Sequence, residues 1–288
     1  MIKASSVVAL LTVLVAGQAL ADWNEGDPYK YVQLPNLTET GVDIKVDEGI
    51  VLADDFLCES KDKITDVHIW GSWKEDLIGE INLVGLSIHD NVPAVWDPAQ
   101  GLYEPSQPGP ERWYRDVVPE PIYDSAIHAG YFTVRQYADI HPQYEWWWEV
   151  DEVLIQNGDQ QVWQINCYID EDEAFMQEGD ASAAMIYWLD LKVDVNPVGT
   201  GTQPEFGWKT SQEHFEDDAV IWDDQLGVWK ELRYPLGHPM HDPFDPANPM
   251  DDPAIGSVDM AFVITPEPAT MTLIGLGGLA VLLRRRRR

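Results

Sequence analysis

Basic residues are scarce in this 288-residue chain: 18 Lys and Arg stand against 50 Asp and Glu, a formal charge of −32. Lys3 and the terminal arginines account for six of those cations, so residues 22–265 hold 12 basic against 49 acidic side chains, about −37. A polyanion meets repulsion there and finds no Lys or Arg cluster to release its counterions, which excludes a nucleic-acid binder. Helical periodicity is nearly absent, and no repeat occurs at a fixed period. There is no Gly-x-Ser-x-Gly elbow, no phosphate loop and no dinucleotide fingerprint. Cysteine is limited to Cys58 and Cys167. What is abundant is apolar surface: 45% hydrophobic residues and 13 Trp exclude a disordered chain.

Both ends are distinctive. Lys3 precedes an apolar run over 7–15, and Ala19 and Ala21 place small residues at −3 and −1 before Asp22. A positive start, a short apolar core and that small-residue pair predict a signal peptide over 1–21, cleaved after Ala21. At the other end Pro266, Glu267 and Pro268 precede fifteen mostly apolar residues, 269–283, and then Arg284, Arg285, Arg286, Arg287 and Arg288. As a helix the apolar stretch reaches about 22 Å, short of the roughly 30 Å hydrocarbon core. The arginines would remain cytoplasmic and snorkel, leaving the acidic body outside. A span this short and glycine-rich suits temporary residence in the membrane.

The order Pro-Glu-Pro, apolar helix, arginine cluster resembles the PEP-CTERM sorting signal of exported bacterial proteins. The resemblance implies that an exosortase, a membrane protease-transpeptidase, recognises Pro266, Glu267 and Pro268, with Arg284 to Arg288 as the cytoplasmic stop, and removes the tail. A plain C-terminal anchor would share that topology and differ only in keeping the tail.

The 244 residues between the ends alternate apolar and polar side chains with period two, the pattern of antiparallel strands with one face on a core and one in water. Leu189, Leu191, Val193 and Val195 share one face; Trp163, Ile165, Cys167 and Ile169 share another; Val258, Met260, Phe262 and Ile264 a third. Further strands are expected over 50–58, 64–73, 83–89, 144–150, 219–222 and 228–234, about nine in all. Seven prolines over 93–121 and six over 235–253 predict two long surface loops inserted in one domain. The expectation is an all-β fold: a single antiparallel β-sandwich, jelly-roll-like, over 22–265, flanked by an N-terminal signal helix and the C-terminal hydrophobic helix of 266–288. The segments Leu52-Ala53-Asp54-Asp55-Phe56-Leu57-Cys58, Ile69-Trp70-Gly71-Ser72-Trp73, Phe206-Gly207-Trp208-Lys209-Thr210 and Asp259-Met260-Ala261-Phe262-Val263 are similar to an uncharacterised family of exported bacterial β-domains. That resemblance implies fold and address, and no activity.

Chemistry is harder to place. Export allows a disulfide between Cys58 and Cys167, while Cys167 on an apolar face is equally suited to a free thiol. Asp54-Asp55, the run from Asp170 to Glu173, Asp217-Asp218 and Asp251-Asp252 do not exceed the acidic pairs expected from composition alone. No stretch completes an EF-hand, so Ca2+ is physically compatible with the acidic body but has no assigned ligands, and no other cofactor is implied. His238-x-x-His241, with His214, has metal-like spacing in a proline-rich loop, where exposed or loop-packing histidines are the simpler account. Trp146-Trp147-Trp148 could present rings for stacking on sugars, or fill a core from both faces of a central strand.

Two functions remain open. The leading one is a non-enzymatic surface or matrix protein, handled by signal peptidase and exosortase, crossing the membrane transiently through 269–283, and making weak contacts to extracellular polysaccharide or divalent cations. The alternative is a carbohydrate-active hydrolase or lyase on a jelly roll, which needs two carboxylates about 5 to 9.5 Å apart across a groove.

Overall fold

The computed structural model describes residues 22–97, 99–149, 153–196, 203–242 and 256–265. The signal peptide with Ala19 and Ala21, Pro266, Glu267 and Pro268, the apolar tail 269–283, Arg284 to Arg288 and Asp251-Asp252 lie outside the described residues. The two expected flanking helices therefore lie outside them as well.

The described chain is strand-rich, with single 3-10 turns at Lys74–Asp76 and Glu120–Ile122 and no longer helix. Strands β1 (Tyr31–Gln33), β2 (Val42–Lys45) and β3 (Leu52–Cys58) come first, then β4 (Lys63–Ile64), β5 (Asp66–Trp73) and β6 (Glu80–Val92). They continue as β7 (Val95–Asp97), β8 (Leu102–Glu104), β9 (Gln107–Pro119), β10 (Gly130–Asp139), β11 (Trp146–Trp148) and β12 (Leu154–Ile155). β13 (Gln161–Ile169), β14 (Phe175–Met176), β15 (Met185–Asn196) and β16 (Phe206–Ser211) follow. β17 (Val220–Asp223), β18 (Val228–Glu231), β19 (Asp259–Met260) and β20 (Phe262–Ile264) close the series.

Hydrogen bonding runs β12-β11-β2-β16-β5-β13-β10-β9-β6-β15-β3-β17-β18, with β20 bridging β1 to β5 and β19 on β16. The β9–β10 link is thin, two parallel residue pairs, so the path divides there into two strand groups. Their apolar faces meet. Phe56 of β3 lies 6.2 Å, ring to ring, from Phe262 of β20, and 6.0 Å from Tyr31 of β1. Tyr187 of β15 stacks at a tilt on Phe56, 5.9 Å away. Glycine permits a close approach in the sheet: a Cβ on Gly71 would stand 2.2 Å from the Gly207 carbonyl of the neighbouring strand.

Nearly every expected strand is present, and β15 follows the alternation in part: Leu189, Leu191 and Val193 are buried and Asp194 is exposed, but Asp190 is buried too, bonded to His89. Three central strands depart from the half-wet pattern. In β5, β13 and β16 both faces are largely buried. The polar face of β13 is enclosed because its members are hydrogen-bonded: Asn166 to His68 at 2.7 Å, and Gln164 to Arg135 at 2.7 Å.

The proline-rich stretch 93–121 is not the long loop expected. It forms the β7–β8 hairpin and the thirteen-residue β9, which pairs with β6. Pro108 and Pro110 are tolerated because the β6–β9 register slips around His89 and Asn91, and the other edge of β9 is paired only at Val118 and Pro119. In the second proline-rich stretch, residues 235–242 carry no strand.

The disulfide is likewise absent: Cys58 and Cys167 are free, buried thiols. Cys58 ends β3, whose neighbours are β15 and β17, and its thiol donates to the Ser60 carbonyl at 3.2 Å. Cys167 sits in β13 between β5 and β10.

The Phe262 ring, fully enclosed among Tyr31, Phe56 and Trp208, tests this packing. Phe262→Ala should lower stability by about 3–5 kcal/mol in urea unfolding, whereas Leu236→Ala should stay within about 0.5 kcal/mol. Leu236 is 85% exposed. Equal losses for the two variants would contradict the assignment of this core.

Candidate functional site

The most unusual chemistry lies inside the sheet. β16 runs between β5 and β2, and its antiparallel register sets Lys209 directly across from Asp43. β11 lies parallel on the other edge of β2 and pairs Trp147 with Asp43. Laterally paired residues share a face, and Glu145, two positions before Trp147, falls on that face too. The chain returning from β12 docks beside it: Glu145 N donates to the Asp159 carbonyl at 3.1 Å, and Gly158 N to the Glu145 carbonyl at 2.8 Å. Four segments thus deliver one amine and three carboxyls to one pocket.

The Lys209 ammonium donates to Asp43 Oδ2 at 2.9 Å and to Glu145 Oε2 at 2.5 Å, and all three side chains have no solvent exposure. Carboxylate oxygens of Asp43, Glu145 and Asp159 lie within 4.8 Å of one another. That spacing would suit a cation, and the ammonium already bonds two of the three. Asp43 Oδ1, Glu145 Oε1 and both Asp159 oxygens are buried without a hydrogen-bond donor.

One ammonium cannot balance three buried carboxylates, so protons must. Burial pushes Asp43 up against the opposing pull of Lys209, and pushes Glu145 up to about 7. Burial, reinforced by the Asp43 charge, holds Asp159 well above the ordinary carboxylate range. The flanking carboxylates overcome the desolvation of Lys209 and hold its ammonium above the usual value. The pocket therefore holds an ammonium in contact with carboxyls that burial drives toward their protonated form, all out of solvent.

A second acidic cluster joins residues that are remote in sequence. Asp54 Oδ2 accepts from Met260 N at 2.7 Å, and Asp218 Oδ2 accepts from Arg233 at 3.0 Å. Burial and the neighbouring carboxylates raise Asp54 and Asp55 well above their ordinary values. Ser257, His214 and Asp259 assemble here, but not as a proton relay. The Ser257 hydroxyl and the Asp259 carboxylate both meet His214 Nδ1, at 3.1 and 3.0 Å, leaving no separate nitrogen for each role.

The other predicted residues do not converge. His238 stacks on Tyr234 with ring centres 4.5 Å apart and accepts from Met240 N, while His241 Nδ1 contacts the Tyr234 carbonyl. His214 contacts Asp259 and Ser257 rather than this pair. Trp147 and Trp148 are buried; Trp146 is half-buried and donates to the Glu39 carbonyl at 3.0 Å. The tryptophan run thus packs on both faces and offers no aromatic platform. Two open grooves carry acids: one of about 410 Å³ holds Glu80 and Glu120 beside Trp163, the other of about 650 Å³ holds Glu231 and Asp242 beside Lys230 and Arg233.

Sequence reasoning missed Lys209, Asp43, Glu145 and Asp159 as a site. The available signal was the position of Lys209 inside the segment Phe206-Gly207-Trp208-Lys209-Thr210, a long cation in a strand flanked by aromatic residues.

A family model described as a domain of unknown function, DUF7901, matches residues 29–265. A model of the PEP-CTERM protein-sorting motif matches residues 265–288. No curated protein and no solved structure matches the chain. Among the described residues, no helix is long and apolar enough to cross a membrane.

The buried acids give stability a definite pH dependence. Burial raises Asp47 to about 6, and Glu145 and Glu231 to about 7. Between their ordinary values and these, the folded chain binds more protons than the unfolded one, so stability falls as pH rises through that window. His89 and His214 are raised by Asp190 and Asp259, and their contribution is also lost as pH rises. His238, lowered to about 4 by burial, opposes this from about pH 6.5 downward. The melting temperature should therefore be higher near about pH 5.5 than near about pH 8.5. A melting temperature that rises with pH over that interval would contradict this balance.

Proposed function

We propose, for a chain that belongs to the DUF7901 family, the role of an exported, non-enzymatic acidic β-sandwich presented at the cell surface or in an extracellular polysaccharide matrix. The observation that carries this reading is the PEP-CTERM motif over 265–288, which implies processing by an exosortase and export. The body, about 22–265, is the delivered part; 1–21 and 266–288 are address segments removed by signal peptidase and exosortase.

Three features support the reading. The two strand groups bring Phe56, Tyr187, Tyr31 and Phe262 into one core, the packing that makes a sandwich. The enclosed acid clusters are closed to a polymeric substrate, since Lys209, Asp43 and Glu145 have no solvent exposure. The remaining acids give a strongly hydrated surface, whose repulsion divalent cations relieve through weak contacts. Such a surface favours solubility and loose association with hydrated glycans over tight capture of one ligand.

Mass spectrometry of the protein recovered from its host reads both processing events at once. Mature chains should begin at Asp22 and end near Pro266 to Pro268. Glu267→Ala should leave Arg284 to Arg288 attached and retain the chain in the membrane fraction. A mature wild-type protein still carrying the five arginines would overturn the sorting assignment.

A further inference from the structure

Two strands already joined by a hydrogen-bonded ladder gain little from a buried ion pair, and enclosing three carboxyls around one ammonium is costly. The same atoms are, however, the reactants of an amide. Lys209 Nζ stands 2.9 Å from Asp43 Oδ2 and 2.5 Å from Glu145 Oε2, on directly paired strands, with every partner out of solvent. We propose that Lys209 and Asp43 form an intramolecular isopeptide bond, with Glu145 carrying the proton and Asp159 polarising the Asp43 carboxyl.

The step balances without any co-reactant. The ammonium passes one proton to Glu145, and the neutral amine attacks Asp43 Cγ. A C–N bond forms, one Asp43 C–O bond breaks, and the departing oxygen leaves as water. That water takes both protons lost by the ammonium, one of them through Glu145. Nothing is oxidised or reduced, and Glu145 and Asp159 end in the protonation states in which they began.

Each residue is placed for its part. The flanking carboxylates hold the proton on Lys209 against desolvation, so the reaction needs a base in contact with the ammonium, and Glu145 Oε2, 2.5 Å away, is that base. The Asp159 carboxyl lies beside Asp43, with carboxylate oxygens within 4.8 Å, and both its oxygens are buried without another partner. Holding amine and carboxyl in contact supplies an effective concentration on the order of 10⁵ M or more. The pocket then keeps water from the product. The bond would span 166 positions and fasten β2 to β16 covalently in a chain whose two cysteines are free. It does not depend on the export reading.

The test is the intact mass of the full chain, denatured, with its termini identified. Wild type should fall short of the mass of its residues by one water, and digestion should yield a branched peptide joining Asp43 to Lys209. Glu145→Gln should melt cooperatively and show the full mass. A folded wild type with full mass, and with cleavage by trypsin after Lys209, would overturn the proposal. So would a water loss localised to any other pair, or one retained in Glu145→Gln. Should Glu145→Gln not fold, the wild-type mass and its linked peptide decide alone.

Discussion

The Lys209 side chain ends where four segments of the chain meet, and its burial dictates what those segments can be. An amine taken out of water needs acceptors within hydrogen-bond distance. Asp43 supplies one by strand register, and Glu145 another from the residue just before β11. That second placement is itself fixed by the β12–β13 return, whose Asp159 carbonyl accepts from Glu145 N and whose Gly158 N donates to the Glu145 carbonyl. Gly158 has to be glycine for the return to fit, since a Cβ there would stand 2.6 Å from the Trp147 Cβ. The register of β2, β11 and β16 is thus locked by charge as well as by apolar packing. A slip of one residue would turn Lys209 to the opposite face and leave its carboxyls without a cation.

The same scarcity of cations shapes the rest of the interior. With 12 basic residues in the body, some buried acids rely on backbone N–H donors. Asp47 accepts from Phe206 N at 2.9 Å, and Asp54 from the backbone N–H groups of Met260 and Asp55. In each case the carboxylate splices a strand to a neighbour whose own ladder is interrupted: β19 and β20 break at Ala261, and β16 begins at Phe206. At these two positions a buried acid is a joint between strands. Outside, the excess of carboxylates meets water and mobile ions, where its cost is screened.

How much of this could be read from the sequence varies with how local the information is. β15 was legible because Leu189, Leu191 and Val193 are buried as their alternation predicts, although Asp190 on the other face is buried as well. β13 showed the same alternation and yet is enclosed on both faces, because a polar face can be buried when its groups bond one another. β9 was obscured by Pro108 and Pro110, whose missing N–H groups matter only where a partner strand demands them. The Lys209 site was hidden for another reason. Its residues are scattered along the chain, each is common in an acidic surface protein, and only the topology makes them neighbours. In contrast, the sorting motif was legible, since its three features are contiguous and a model of that motif matches residues 265–288.

The position of β20 links the fold to the address. Its residues Phe262, Val263 and Ile264 pair with both β1 and β5, and Thr265 N still donates to the Asp66 carbonyl at 3.3 Å. The sorting tripeptide begins at the next residue. Phe262 and Ile264 are buried in the core, so the last described strand is held both by its ladders to β1 and β5 and by that packing.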